Sequence, residues 1–231
     1  MRVQKPQISV IVPAYNEEKY IGKCLDSLTN QDLDKNLYEI LVIDNNSTDK
    51  TGTVALAYPV KMFLEKRKGV AYTRSLGVEK SQGQIIAFTD SDCIVPKNWI
   101  SNFLAKFAKD PKLDAAGGVF AFYDGNKFLK TLALKTQKFT WHLSGGNMAI
   151  RRKSLSRIGG FEPLVHAGED VLLTLKLQKQ GTFLIDQNNV VQTSSRRFSD
   201  NFLKTILMYF PNDFSLKYFH RPFFSHFPDV R

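Results

Sequence analysis

Three short apolar runs, each followed by polar residues, most constrain the fold of this chain. Residues 8–13, 39–43 and 84–89 are rich in apolar and β-branched side chains. Such runs are typical of strands buried on both faces. Apolar residues between Tyr20 and Leu28 recur at helical spacing, which predicts an amphipathic helix between the first two strands. This alternation predicts an α/β fold with a doubly wound, Rossmann-like sheet, mixed but mostly parallel, flanked by helices.

The same patterns are less regular in the rest of the chain, but they still predict its strands and helices. We predict strands at 60–64 and 115–122, and helices at 70–80, at 96–107 and from 171 onward. Asn16 is predicted to cap the first helix, because asparagine side chains accept hydrogen bonds from free backbone N–H groups. A glycine-rich bend at 144–146 leads into another strand.

The polar residues that follow the strands fall where such folds bind ligands. Ligands of doubly wound sheets collect outside the carboxyl ends of the strands. Three separate strands end at Tyr15, at Asp44 and at the pair Asp90 and Asp92. We therefore expect these side chains to meet at one edge of the sheet.

Asp90, Ser91 and Asp92 form an Asp-x-Asp triplet directly after a buried strand. Two carboxylates at this spacing can share a hard cation such as Mg²⁺ or Mn²⁺, which in turn can bridge to a diphosphate. The alternative is a solvated turn that caps a helix. Asp44 has a similar pair of interpretations, as an acceptor from a base or ribose or as a local helix cap.

The remaining candidates each keep two interpretations. Arg74 faces a nucleotide or lies solvated on its helix. Asp170, with Glu169 beside it, takes a proton from an acceptor or stabilises a helix N-terminus by its charge. Gly145 and Gly146 let the backbone approach a substrate or form a plain turn. No role is assigned to two isolated histidines, His142 and His166.

Composition restricts the setting and the partners. The net charge of +10 favours anionic partners, namely nucleotides, nucleic acid or an acidic membrane surface. Two cysteines, Cys24 and Cys93, support neither a disulfide framework nor a zinc site, so we expect a cytoplasmic protein. No apolar run approaches the roughly 20 residues of a membrane span, and residues 1–6 do not resemble a signal peptide.

Residues 196–231 differ from the rest of the chain, because they hold eight of the eighteen phenylalanines. Helical spacing of apolar residues from Phe202 to Phe210 predicts a helix. We favour packing of this tail on the preceding domain. Two alternatives are a peripheral contact with the inner face of the membrane and a homodimer contact.

Five motifs in order resemble glycosyltransferase family 2, which has the GT-A fold. They are Val-Ile-Val-Pro-Ala-Tyr-Asn-Glu-Glu at 10–18, Ile-Asp-Asn-Asn-Ser-Thr-Asp at 43–49, Asp-Ser-Asp at 90–92, Gly-Gly-Asn-Met-Ala-Ile-Arg at 145–151 and Gly-Glu-Asp at 168–170. The resemblance covers about residues 7–195. It implies a catalytic domain at 1–195, with a nucleotide-binding half to about residue 95 and an acceptor half at 96–195, followed by the tail.

The resemblance also implies site residues. Pro13, Ala14 and Tyr15 would pack on the base, and Glu17, Asp44 and Arg74 would lie beside the nucleotide. Asp90 would face the ribose, with Ser91 between it and Asp92, which would reach the metal. Gly146 and Asn147 would lie beneath the donor sugar and the acceptor, and Asp170 would be the base with Glu169 as its neighbour.

The implied reaction is an inverting, metal-dependent transfer of sugar from a nucleoside-diphosphate sugar to an acceptor hydroxyl. The resemblance favours UDP over GDP, a carbohydrate or lipid-linked acceptor, and a role in cell-envelope glycan or glycolipid synthesis. Membrane-bound synthases of this family carry Gln-x-x-Arg-Trp. Residues 192–198 here have a different spacing and no tryptophan, which argues against processive synthesis.

Two alternatives remain at this point. A nucleotidyltransferase would also use acidic residues and metal, but it usually has a glycine-rich phosphate loop, which residues 13–16 do not provide. A basic nucleic-acid-binding module would interleave aromatic with basic residues on a strand, whereas the aromatics here concentrate in the tail. The interpretation that we keep predicts no nucleic-acid partner.

Overall fold

A computed structural model describes residues 5–127, 130–131, 135, 140–162, 168–196, 211 and 214–219. Its strands are β1 (Ile8–Ala14), β2 (Tyr38–Asp44), β3 (Lys61–Leu64), β4 (Ile85–Thr89), β5 (Cys93–Ile94), β6 (Ala115–Phe122), β7 (Asn147–Arg151) and β8 (Phe183–Thr193). Its helices are α1 (Ile21–Thr29), α2 (Thr51–Ala55), α3 (Val70–Lys80), α4 (Trp99–Lys109), α5 (Arg152–Arg157) and α6 (Glu169–Gln180), with a 3₁₀ turn at Lys35–Leu37.

The described strands form one mixed sheet in the order β3-β2-β1-β4-β7-β6-β8-β5. Strands β1 to β4 pair in parallel, as expected for a doubly wound fold. Strand β7 runs antiparallel to β4, and Thr89 pairs with Asn147. The amino end of β7 therefore lies at the same sheet edge as the carboxyl end of β4, and this brings the glycine bend to the polar edge.

Alternation along the central strands divides the core into two layers. Val10 and Val12 of β1 face the layer that contains α1 and α4, while Ile11 faces the layer that contains α3, α5 and α6. Trp99 is fully buried in the first layer and Phe88 in the second. Because both faces are covered, the central strands are continuously apolar, which is why their sequence pattern is so clear.

The loops after β1 and β2 are joined by hydrogen bonds, and this corrects the expected role of Asn16. Its side-chain Oδ1 accepts from the Thr48 N–H at 2.8 Å, and its own N–H donates to Ser47 Oγ at 2.9 Å. Helix α1 begins after Tyr20 without a side-chain cap. Asn16 also has a positive φ of 54°, which asparagine tolerates better than most residues. Asn16 therefore ties two loops together instead of capping α1.

Strand β8 has no counterpart in the sequence prediction. Its centre, Asp-Gln-Asn-Asn at 186–189, is polar, and the partner strand β6 shifts register between Gly117 and Val119. This strand of eleven residues is stabilised by seven residue pairs with parallel β6 and by polar contacts rather than by an apolar period. Local patterning could not predict it, because its partners are far away in sequence.

The described part of the tail packs on the domain, as the favoured interpretation expects. Leu216 is buried against Val171 and Leu175 of α6. The helix predicted between Phe202 and Phe210 lies outside the described residues. Among those that are described, no helix combines the length and the apolar character needed to cross a membrane.

Replacing Gly118 with alanine should destabilise the fold. The new Cβ would lie 2.0 Å from the carbonyl oxygen of Asn189 and 2.5 Å from Nδ2 of Asn147, so backbone must move. We expect a loss of about 1–3 kcal/mol in the free energy of unfolding, measured by urea denaturation. Gly22→Ala in α1 is the control, since its Cβ would meet only ordinary contacts from 3.4 Å. Equal stability of both variants would contradict this packing.

Candidate active site

Arg74 of helix α3 lies at the centre of a buried charge cluster. Its guanidinium donates to Asp90 Oδ1 at 2.9 Å and forms an ion pair with Glu169. The Arg74 side chain is only 4% exposed. This excludes the solvated interpretation of Arg74, and the ion pairs raise the pKa of the guanidinium against the effect of its burial. Arg74 therefore links the end of β4 to the start of α6.

The glycine bend lies directly against this cluster. A Cβ on Gly145 would lie 2.3 Å from the Arg74 guanidinium, and one on Gly146 would lie 2.8 Å from Asp90 Oδ2. Glycine is needed at both positions because any side chain would displace the charged groups. The bend therefore brings backbone close to the site, which favours the first of its two interpretations.

Asp170 is held by backbone donors at the start of α6. Its Oδ2 accepts from the Gly145 N–H at 2.9 Å, and its Oδ1 accepts from the Val171 N–H at 2.8 Å. The side chain is partly exposed, whereas neighbouring Glu169 is buried. Asp170 is thus an oriented carboxylate that can face a bound molecule, while Glu169 fixes Arg74 from the protein side.

Burial dominates the protonation of Glu169. Burial removes water from around its carboxyl group and raises the pKa of that group from 4.5 to about 7. The negative charge of Asp170 raises this pKa as well. The Arg74 guanidinium acts in the opposite direction. Glu169 is the buried member of a group of three carboxylates with one guanidinium, so it is the carboxyl group at which a proton is most easily retained.

A second arginine contacts the other aspartate of the triplet. The Arg196 guanidinium donates to Asp92 Oδ2 at 3.0 Å and to Glu17 Oε1 at 2.6 Å, and it lies 4.3 Å from the centre of the Tyr20 ring. Glu17 and Asp92 are both buried. The two aspartates of the triplet therefore have different cationic partners, Arg74 for Asp90 and Arg196 for Asp92.

Asp90 and Asp92 can supply oxygen ligands to a divalent ion. One ligand atom each from Asp90, Asp92 and Cys93 lies within 4.8 Å of the others. Carboxylate oxygens suit Mg²⁺ and Mn²⁺. The Cys93 thiol is a poor third ligand for such hard ions, because burial raises its pKa well above the ordinary value and keeps it protonated. The donor set fits a hard cation held mainly by the two carboxylates.

The residues expected to contact the base lie at the ends of β1 and β2. Pro13 and Ala14 are buried in β1, whereas Tyr15 is partly exposed. Asp44 pairs in register with Ala14, and its Oδ1 accepts from the Ser47 N–H at 3.1 Å. Asp44 therefore closes its own turn, and this local role does not occupy both of its oxygens among the described contacts.

The Asn147 side chain forms hydrogen bonds within the core. Its side chain is fully buried: Nδ2 donates to the carbonyls of Val119 and Asn189, and Oδ1 accepts from Trp99 Nε1 at 2.9 Å. These bonds fix the Asn147 side chain within the core, and the place of residues 146 and 147 beneath a sugar stays a prediction. Its neighbour Gly146 does lie at the site edge.

Ser91 is buried between the two aspartates. His142 Nδ1 lies 3.0 Å from the Leu143 carbonyl oxygen and belongs to no candidate metal cluster of the described residues. His166 lies outside the described part of the chain.

Arg196 is the site residue that sequence reasoning missed. The signal was its place directly after residues 192–195, but recognising the contact required the pairing of Cys93 in β5 with Thr193 in β8. That pairing brings the start of the tail beside Asp92.

In this fold a mixed α/β sheet brings carboxylates from separate strands to one edge, opposite the acidic start of a helix. GT-A glycosyltransferases have this arrangement. The profile described as "Glycosyl transferase family 2" matches residues 9–159, which is more than half of the chain. The chain belongs to this family.

Curated relatives have related names. The chain is 29% identical over 205 residues to "Glycosyltransferase AglE" of Haloferax volcanii, covering 80% of this chain and 66% of that one. It is 27% identical to "Dolichyl N-acetyl-alpha-D-glucosaminyl phosphate 3-beta-D-2,3-diacetamido-2,3-dideoxy-beta-D-glucuronosyltransferase" of Methanococcus voltae, covering 87% and 71%. The chain thus spans about two thirds of the length of these relatives.

Solved structures share the fold. The mannosyltransferase PcManGT of Pyrobaculum calidifontis, in complex with GDP-Man and Mn²⁺, superposes with a TM-score of 0.72 at 24% identity, covering 94% of this chain and 65% of that one. S. aureus TarS 1-349 in complex with UDP-GlcNAc gives 0.70 at 23% identity, covering 82% and 59%. At these identities the likeness shows the GT-A fold, as the sequence resemblance implied.

Glu169 should make stability depend on pH. Because its folded-state pKa of about 7 exceeds the ordinary 4.5, the folded chain holds more protons than the unfolded chain between these values. The free energy of unfolding should therefore fall as pH rises through this window. Glu169→Gln should remove that contribution in urea denaturation at pH 5 and 7.5, whereas the exposed control Glu79→Gln should not. An identical pH dependence in Glu169→Gln and the parent chain would count against a protonated Glu169.

Proposed function

We propose that this chain is the catalytic domain of an inverting glycosyltransferase. It would move a sugar from a nucleoside-diphosphate sugar to an acceptor hydroxyl. The observation that carries the proposal is the Asp90–Arg74–Glu169 linkage, which fixes the donor-side carboxylate of Asp90 next to the helix that presents Asp170. A transfer enzyme must hold donor and base in one geometry, and a buried charge cluster does this well.

The donor side of the proposal involves the edge after β1, β2 and β4. The partly exposed Tyr15 and the Asp44 carboxylate would bind the base, while Asp90 and Asp92 would hold Mn²⁺ or Mg²⁺. When bound, such an ion stabilises the negative charge that develops on a departing diphosphate. We favour UDP over GDP from the family resemblance, and a structural neighbour was solved with UDP-GlcNAc. Another was solved with GDP-Man and Mn²⁺, which supports a metal but not the choice of base.

The acceptor side depends on Asp170. Its two oxygens accept from the Gly145 and Val171 N–H groups, and these bonds orient the carboxylate without neutralising it. Asp170 would take the proton of the acceptor hydroxyl as its oxygen attacks the anomeric carbon from the face opposite the diphosphate. The bond from that carbon to the diphosphate breaks, so the configuration inverts. Buried Glu169 would position Arg74 and take no proton from the acceptor.

We further propose that the acceptor is lipid-linked and belongs to cell-envelope glycan synthesis on the inner face of the membrane. Phe214, Tyr218 and Phe219 are more than half exposed on the helical segment 214–219, which packs on α6 through Leu216. Basic Lys217 lies in the same segment. Exposed aromatic rings beside a basic residue suit an anionic lipid surface. One relative is named for a dolichyl-linked substrate, which supports a lipid-linked acceptor.

Asp170→Asn should reduce sugar transfer by at least about a hundredfold, because the amide cannot take the acceptor proton. Binding of the nucleoside diphosphate should persist, as measured by a thermal-shift screen of UDP and GDP with and without Mn²⁺. The control is Asp110→Asn, an exposed residue before β6 at the opposite edge of the sheet. Equal loss of transfer and of binding in Asp170→Asn would make Asp170 structural.

The same assay tests the reaction class. A donor labelled in both sugar and β-phosphate should yield a labelled nucleoside diphosphate and an acceptor that carries only the sugar label. Transfer of the phosphate with the sugar, or of the nucleotide, would contradict a glycosyltransferase. It would favour a nucleotidyltransferase instead.

The double variant Phe214→Ser, Phe219→Ser should weaken co-sedimentation of the full chain with vesicles of phosphatidylglycerol and phosphatidylcholine at least about tenfold, since burial of each ring contributes on the order of 1 kcal/mol or more. Leu56→Ser is the matched control, because Leu56 is equally exposed but lies after α2. Binding of the parent chain should be weaker to neutral vesicles.

Failure of the parent chain to bind anionic vesicles would remove the membrane proposal. A mass in solution that rises with concentration in the parent chain, but not in the double variant, would assign the same surface to a second copy of the chain.

A further inference from the structure

Arg196 lies where a cation is needed. One of its guanidinium nitrogens bridges Glu17 Oε1 at 2.6 Å and Asp92 Oδ2 at 3.0 Å. The three side chains are 13%, 1% and 7% exposed, so the bridge is shielded from water. Two buried carboxylates this close to one another require a positive charge between them.

The position of Arg196 in the chain makes this contact unusual. Asp92 and Glu17 belong to loops at the carboxyl edge of the sheet, whereas Arg196 follows β8 at the start of the tail. Tyr20 provides the face of its ring to the guanidinium, which gives the tail a second contact at the same place. Among the described residues of the tail, the Arg196 side chain therefore attaches its beginning to the candidate metal site.

A divalent ion and this guanidinium compete for the same carboxylate oxygen. An Asp92 Oδ2 atom that accepts from Arg196 has lost much of its capacity to ligate a metal, and two cations on neighbouring positions repel each other strongly when buried. We propose that Arg196 substitutes for the divalent ion in the donor-free chain and must leave Asp92 when the metal binds. Arg196 is thus a positioning residue that links the start of the tail to metal loading.

The linkage is reciprocal, as for any two ligands that exclude each other. Arg196 stabilises the empty site and weakens metal binding there, so the site would not hold a metal tightly before the donor arrives. Metal binding in turn releases the start of the tail from Asp92. This inference rests on the proposed metal site at Asp92.

The test measures Mn²⁺ binding to the full chain without nucleotide, by electron paramagnetic resonance of free Mn²⁺. Arg196→Gln should bind Mn²⁺ about 5- to 150-fold more tightly than the parent chain, the range of ordinary coupling between two sites. Arg196→Lys keeps the charge and should stay near the parent affinity. Arg67→Gln, which removes an exposed arginine paired with Glu65, is the matched control and should leave the affinity unchanged.

Unchanged, weakened or undetectable Mn²⁺ binding in Arg196→Gln would overturn the competition. Asp92→Ala separates this failure from failure of the metal site. If Asp92→Ala loses binding while Arg196→Gln gains none, only the competition is wrong. If Asp92→Ala binds Mn²⁺ like the parent chain, the proposed metal site is wrong.

A measurement on the parent chain tests the same proposal without depending on whether the variants fold. Trypsin cleavage after Arg196, followed by mass spectrometry, should become several-fold faster in Mn²⁺, because the metal releases the guanidinium. Cleavage after the exposed Arg67 should keep its rate. Equal rates after Arg196 with and without bound Mn²⁺ would also overturn the proposal.

Discussion

Burial of Arg74 among carboxylates is the interaction on which the candidate site depends. A guanidinium at 4% exposure is tolerated only with close anionic partners, and removal of one partner leaves an uncompensated buried charge. The partners come from β4 through Asp90 and from α6 through Glu169. These two elements are therefore fixed relative to one another by the same side chain, and Asp170 inherits its position from that constraint.

The direction of the strands explains why a few residues are enough to form the candidate site. Strands β1, β2 and β4 run in parallel, so their carboxyl ends deliver Glu17, Asp44 and the 90–92 triplet to one edge. Antiparallel β7 then returns the glycine bend to that edge. Missing side chains at Gly145 and Gly146 leave space for the ion pair, so sheet topology and charge pairing support the same geometry.

Sequence reasoning succeeded where a local period determined the structure. The helix Val70–Lys80 and the strand Ala115–Phe122 have the predicted bounds. It failed for β8, whose polar centre is stabilised by distant partners, and it did not predict the contacts of the Asn147 amide with Trp99 and two strands in the core. Arg196 was missed for the same reason, because 104 residues separate it from Asp92. The division into nucleotide-binding and acceptor halves stays a prediction, and one sheet crosses its boundary.

The net charge of the chain is +10, but the side chains of the candidate site are mostly acidic. Glu17, Asp90, Asp92, Glu169 and Asp170 are accompanied by two arginines among the contacts described above. Within these contacts of the described residues the carboxylates outnumber the arginines, so this group of side chains is acidic although the chain is basic. An acidic site of this kind attracts a diphosphate only together with a cation, because the anion alone would be repelled. The two arginines differ in whether a small cation can replace them. Arg74 is enclosed by its partners. Arg196 reaches the site from the start of the tail, and a small cation can take its place.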